Sequence, residues 1–321
     1  MTEARGSFAI EPRGAFSLES SIRFLEGFAP AAYETPDEST DASPARRLDA
    51  AFALEGSWQV VGVRLEQAGG GRGEVHGRVF AEHPVRRAEL SAVRGQVERI
   101  LSLDVDGAGF ADVGARDPVI GAAQARYPGL RPVCFWSWYE AAAWAIIGQR
   151  LRIVQAAAVK QRLAHELGET VVIDGVASQA FPAPAALAGL KGGPGLTTAK
   201  VDRLHALADA AANNVFDSAR LRAMPREEAL EALHTLPGIG PFSAELILLR
   251  GAGDPDHAPA HEARLAKAVA HAYHLDAAPD AATLAQITAG WAPYRTWATV
   301  LLRAQLEDDT HEIANAGRRG R

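Results

Sequence analysis

At 321 residues the chain is long enough for about two domains, and with 48% hydrophobic and 22% charged residues it has the composition of a folded globular protein, not a disordered one. No run reaches the ~18 consecutive apolar residues of a membrane-spanning helix, and the opening MTEARGSFAIEPRG lacks a signal peptide's apolar centre, so a cytoplasmic, bacterial-type protein with no membrane partner is expected. Cys134 is the only cysteine, which excludes internal disulfides and cysteine-based metal centres, and a net charge of −6 argues against indiscriminate coating of nucleic acid without excluding a local contact surface.

Ser17 is positioned to cap a short helix running through Phe28, with Ile22, Leu25 and Phe28 at helical spacing. The polar stretch 35–46 is expected as loop. Two β-rich runs, 51–67 and 74–80, flank the glycine-rich AGGGRG turn, and the alternation from Trp58 to Leu65 predicts a half-buried strand in a small antiparallel sheet. From Ala88 onward the pattern is helical, through 90–103, 136–147, 151–167, 198–212, 226–234, 242–250, 262–273 and 294–306. Breakers separate these runs at Asp117-Pro118, Tyr127-Pro128-Gly129, Phe181-Pro182-Ala183-Pro184 and Gly192-Gly193-Pro194-Gly195. The expected organisation is α+β: an N-terminal α/β domain over 1–89, a large all-α region over 90–310 and a flexible basic tail over 311–321. Trp136, Trp138 and Trp144 lie among alanines and isoleucines and read as core. The histidines show no metal-binding spacing.

The most informative stretch is Leu233-His234-Thr235-Leu236-Pro237-Gly238-Ile239-Gly240-Pro241-Phe242. A helix ends near His234, and Pro241 suits the first position of the next. Two glycines between them leave the backbone bare, and N–H groups at such a turn can cradle a phosphate without a basic side chain. An ordinary αα-hairpin, with glycines serving only tightness, fits the spacing as well.

This segment resembles the helix–hairpin–helix of DNA glycosylases, and the resemblance runs in order along nearly the whole chain. Asp117-Pro118-Val119-Ile120, Tyr127-Pro128-Gly129-Leu130-Arg131, Ala145-Ile146-Ile147-Gly148-Gln149, Phe181-Pro182-Ala183-Pro184, Lys200 and Pro293-Tyr294-Arg295-Thr296-Trp297-Ala298 are all similar to the bacterial alkylation-repair branch, 3-methyladenine DNA glycosylase II. Residues 16–35 and the β-region after them resemble that branch's TATA-binding-protein-like domain. The resemblance implies a small sheet domain followed by a two-lobed all-α glycosylase core. It also implies a monofunctional enzyme of base excision repair that flips and hydrolyses alkylated bases out of duplex DNA, with no required cofactor and no obligate protein partner.

Carried over residue by residue, the resemblance makes Gly238, Ile239 and Gly240 the phosphate clamp. The main-chain carbonyls of His234, Leu236 and Ile239 would be the seat of a structural sodium or potassium ion. Gln149 and Arg150 or Leu151 stand at the wedge that fills the gap left by a flipped base. Phe24, Phe242, Leu246, Ala263 and Arg303 fall at base-pocket positions, Leu246 and Ala263 reading best as core. Pro241-Phe242 stands where bifunctional relatives carry a lysine, so no lyase step is expected. The family's catalytic aspartate falls on Glu262, whose extra methylene moves the carboxylate by roughly an ångström, a displacement that can cost on the order of a hundredfold in rate. Asp256 is the alternative carboxylate, and His261 reads as a surface neighbour.

Two rival readings accompany this one. A lesion-binding protein could keep the hairpin and lose the chemistry with the aspartate, and a helical interaction protein need not bind DNA at all. An arginine at position 303 would repel a cationic base and could pair with Glu262.

Overall fold

The computed structural model describes residues 3–26, 47–68, 73–259 and 262–311. The expected helix end at Phe28, the loop 35–46, most of the AGGGRG turn, His261 and nearly all of the basic tail lie outside them. In chain order the elements are β1 (Gly6–Ile10), α1 (Leu18–Glu26), β2 (Arg47–Ala53), β3 (Val60–Gln67), β4 (Val75–Phe80), α2 (Arg87–Ile100), α3 (Phe110–Arg116), α4 (Pro118–Arg126), α5 (Trp138–Gly148) and α6 (Ile153–Leu167). Then come β5 (Thr170–Ile173), β6 (Val176–Gln179), α7 (Pro184–Leu187), α8 (Thr198–Ala212), α9 (Ser218–Ala223), α10 (Arg226–His234), α11 (Pro241–Leu246), a π-helical turn (Ile247–Gly251), α12 (Ala263–Ala272), α13 (Ala281–Ala289) and α14 (Arg295–Thr310).

Helix starts follow side-chain chemistry. Ser17 accepts Ser20 N–H at 3.1 Å, Ser137 caps α5 through Glu140 N–H at 3.0 Å, Thr197 caps α8, and Asp117 caps α4 with Pro118 at its first position. The N-terminal sheet is antiparallel in the order β1-β4-β3-β2. Its β3 is buried on both faces, not one as the alternation predicted. Val61, Val63 and Leu65 meet α1 and α2 in one core, whereas Val60 joins Ala51, Phe80, Val171 and Ile173 in another.

That second cover is the β5–β6 hairpin, which interrupts the expected all-helical stretch. Gly62 is what admits it, since a Cβ there would lie 2.8 Å from Ile173 and 2.9 Å from Val171. Arg64 fastens the junction, bonding Asp49 at 2.7 and 2.6 Å and Asp174 at 2.5 Å.

The helical region has two further cores. One surrounds α5, whose residues are apolar nearly all round, with α6, α8, α10 and α11 against it. Trp138 is fully buried and Trp144 packs beside it, as expected of core tryptophans. The other joins α3 and α4 to α12 and α14 around Trp291 and Trp297. Arg131 stitches the small sheet unit to this second core: its buried guanidinium donates to the carbonyls of Ala15 (2.9 Å), Arg13 (2.5 Å) and Ser102 (3.0 Å) and lies over Trp297. Burial pushes its pKa down to about 10.

Candidate active site and phosphate-binding hairpin

α10 ends at His234 and α11 begins at Pro241, so the hairpin turn spans the glycines expected of it. Gly238 has φ +86°, a left-handed conformation that favours glycine, and a Cβ there would strike Arg203. Gly240 is different. Its backbone is extended, and a Cβ would meet nothing within 4 Å. The bare face of Gly240 thus opens to solvent directly before the first turn of α11, where Phe242 and Ser243 have no acceptor four residues back in the helix. Ile239 does not share this role, because its N–H donates to Leu236 O at 3.1 Å and its side chain is buried. Its contribution is to fold the turn.

The segment that follows α5 is tied to this turn. Gln149 Nε2 donates to Gly238 O at 2.7 Å, and Gln149 Oε1 accepts from Arg203 at 2.5 Å. Lys200 closes the end of α5 from the other side, donating to Ile147 O at 2.7 Å, and burial holds its pKa below the usual lysine value. Arg150, next after Gln149, is exposed with φ +57°, while Leu151 packs against the α5 core. The side chain that projects outward is therefore Arg150. Ile153 and Val154, on the first turn of α6, extend that surface with apolar side chains.

Glu262 stands at the N-cap of α12 but makes no capping bond. Its carboxylate, 11% exposed, pairs with Arg303 Nη1 at 2.8 Å. Arg303 also lines a cleft of about 1100 Å³ between the N-terminal unit and α14, bounded by Phe16, Phe24, Arg250, Arg264 and Glu307 among others. The guanidinium of Arg250 lies 5.3 Å from the centre of the Phe24 ring and donates to Val133 O at 2.6 Å. Burial pushes the Arg250 pKa down to about 10 and lowers that of Arg303 as well, with Glu262 opposing that shift. Arg264 is held by Glu307 at 2.7 Å. Asp256, the alternative carboxylate, is occupied elsewhere: Arg295 grips it through two bonds of 2.8 Å.

Of the expected pocket residues, Phe24 and Arg303 line the cleft and three do not. Phe242 is 64% exposed on the outer side of α11, because the first turn after Pro241 faces solvent. Leu246 packs into the α5 core, and Ala263 is exposed at the start of α12. Arg250 was not anticipated. Its signal is a lone arginine inside the apolar run Ile247-Leu248-Leu249-Arg250, on a π-helical turn of the kind often found at functional sites. Among the described residues no group of three or more His, Cys, Asp or Glu could hold a metal ion.

The folded chain superposes on the 3-methyladenine DNA glycosylase from Archaeoglobus fulgidus with a TM-score of 0.72, covering 95% of this chain and 99% of that one at 22% identity. The chain has the AlkA-like helix–hairpin–helix glycosylase fold. No family model matches it. In sequence it is 22% identical over 227 residues to a Bacillus subtilis protein named DNA-3-methyladenine glycosylase, covering 68% of this chain and 74% of that one. It is 28% identical over 228 residues to a Mycobacterium tuberculosis protein described as a probable bifunctional transcriptional activator/DNA repair enzyme AlkA, of which it spans 45%. On this AlkA-like fold the hairpin, the Gln149–Arg150 segment and Glu262 come from different helices, so the candidate site depends on tertiary packing.

Proposed function

We propose that the protein is a monofunctional DNA glycosylase of base excision repair, acting on duplex DNA that contains damaged, principally alkylated, bases. In this reading Gly240 and the first turn of α11, assisted by Gly238, hold a backbone phosphate. Arg150 enters the gap beside the flipped nucleotide, and Phe24 stacks on the extruded base. Glu262 stabilises the positive charge that develops on the sugar, and water completes the hydrolysis. A sodium or potassium ion on the carbonyls of His234, Leu236 and Ile239 would rigidify the turn. No other cofactor and no protein partner enters the chemistry. The small sheet unit serves as the family's TATA-binding-protein-like domain, the two helical cores as the lobes of the DNA-binding cleft, and the bacterial cytoplasm, on the nucleoid, as the working compartment. Among the described residues, no helix is long and apolar enough to cross a membrane.

The observation that carries this reading is the placement of Glu262: a mostly buried carboxylate free of capping duty, held on an arginine that lines the cleft. The same ion pair is what favours the second reading, a lesion-binding protein whose carboxylate is neutralised. Base release from duplex DNA carrying alkylated bases, methylated and etheno adducts both, separates them. The enzyme reading expects excision by the wild type and none by Glu262→Gln, with DNA binding retained. An inert wild type that gains activity as Glu262→Asp establishes the binding protein instead.

A further inference from the structure

Glu262, Arg303 and Arg250 form one electrostatic group at the cleft. Arg303 touches Glu262 at 2.8 Å, and Arg250 and Arg303 both line the cleft beside Phe24. Both guanidiniums present positive charge at the cleft wall, and the Arg303 one does so while paired with Glu262. A base already made cationic by alkylation would add a further positive charge beside Arg303, in a site where burial strengthens repulsion. A neutral base reverses this balance. When its glycosidic bond breaks, the sugar becomes positive and the base negative, and a carboxylate paired with a guanidinium presents the complementary signs in one fixed dipole.

We propose that Arg303 makes this site selective for electrically neutral damaged bases that leave as anions, a refinement that rests on the glycosylase reading above. The C1′–N bond breaks with its electron pair remaining on the base. Arg303 donates a hydrogen bond to an acceptor atom of the departing base and keeps its proton. Water adds to C1′, and its proton passes by way of Glu262 to the released base, so the products are a neutral free base and an abasic sugar. Glutamate in place of aspartate suits this arrangement, because its longer side chain meets Arg303 while remaining at the start of α12.

The test compares single-turnover release of 1,N6-ethenoadenine, a neutral base, with that of 7-methylguanine, a cationic one, each from the same duplex and each relative to its spontaneous rate. The wild type is expected to accelerate ethenoadenine release more strongly. Arg303→Met keeps the bulk and removes the charge, and it is expected to lower ethenoadenine release by about tenfold to a hundredfold, the order of losing one donor to a developing anion, and to lower 7-methylguanine release by less, so that the ratio of the two rates falls. Arg303→Lys should keep the wild-type order of preference, which separates charge from mere packing. A wild type that prefers 7-methylguanine, or an Arg303→Met variant that slows both lesions equally, overturns the selectivity and leaves the glycosylase reading standing. A wild type that releases neither lesion overturns both.

Discussion

The two hairpin glycines are expected to fail differently when each is replaced by alanine. At Gly240 the backbone is extended and the space beside it empty, so Gly240→Ala strains nothing, and stability should fall by no more than about 1 kcal/mol through the poorer N-cap. The new methyl group, however, occupies the face by which a phosphate must approach. Losing one charge-assisted hydrogen bond costs about 1.5–3 kcal/mol, or roughly a tenfold to hundredfold loss in affinity for duplex DNA. At Gly238, by contrast, φ is +86°, and alanine there costs about 1–2 kcal/mol from the left-handed conformation alone, with the displacement of Arg203 in addition. Thermal melts should therefore separate the two variants by several degrees. Anisotropy titrations on a duplex with an abasic-site analogue should show Gly240→Ala weakened by the same factor at every salt concentration, since no cation has been removed. Unchanged DNA affinity in a fully stable Gly240→Ala protein would refute the clamp and return the turn to an ordinary αα-hairpin.

Arg150→Gly should be more stable than the wild type by about 1 kcal/mol, because the left-handed residue becomes a glycine. It should nevertheless release bases more slowly and bind DNA with a salt slope lower by about 1; a slower enzyme with an unchanged slope would confine Arg150 to the gap, away from phosphate. Gln149→Glu places a carboxylate oxygen against the Gly238 carbonyl and should lower stability by about 1–3 kcal/mol, read by urea denaturation, whereas retention of full stability would show that the Gln149 bond does not brace the turn. For Asp256, burial raises the carboxyl pKa, but the hydrogen bonds and charge of Arg295 outweigh it and the net shift is downward. A folded-state pKa below the unfolded one stabilises the protein above the unfolded value, and that contribution is lost as pH falls through the folded value. Asp256→Asn should therefore melt below the wild type at pH 7, with the gap closing below about pH 4; a gap that is constant with pH would remove the ionic contribution.

What could be read from the sequence was mostly local. The hairpin rests on glycine and proline stereochemistry within six residues, and the Ser17 cap acts over three positions. What escaped depends on contacts between distant segments. The β5–β6 strands are four residues each, too short to carry a period, and they exist because Gly62 leaves room for Ile173. Several motifs that carried the family resemblance act as joints: Arg131 binds the carbonyls of the N-terminal segment, Asp117 holds Trp291 as well as capping α4, and Arg295 locks Asp256.

Phe242 carries the same lesson in reverse. Its position in the motif pointed to the pocket, yet the helix it opens turns that side chain to solvent, while Arg250, two turns later, reaches the cleft wall. The cleft wall carries the guanidiniums of Arg250 and Arg303 beside Phe24, with Glu262 paired to Arg303. The residues at 262 and 303 are physically coupled. A shorter carboxylate would draw back from Arg303 and weaken the 2.8 Å pair, leaving position 262, the less exposed partner, without its contact to the cleft wall. Arginine at 303 therefore favours the longer side chain at 262, and under the proposed selectivity it is this pair that sets the sign of the charge the cleft accepts.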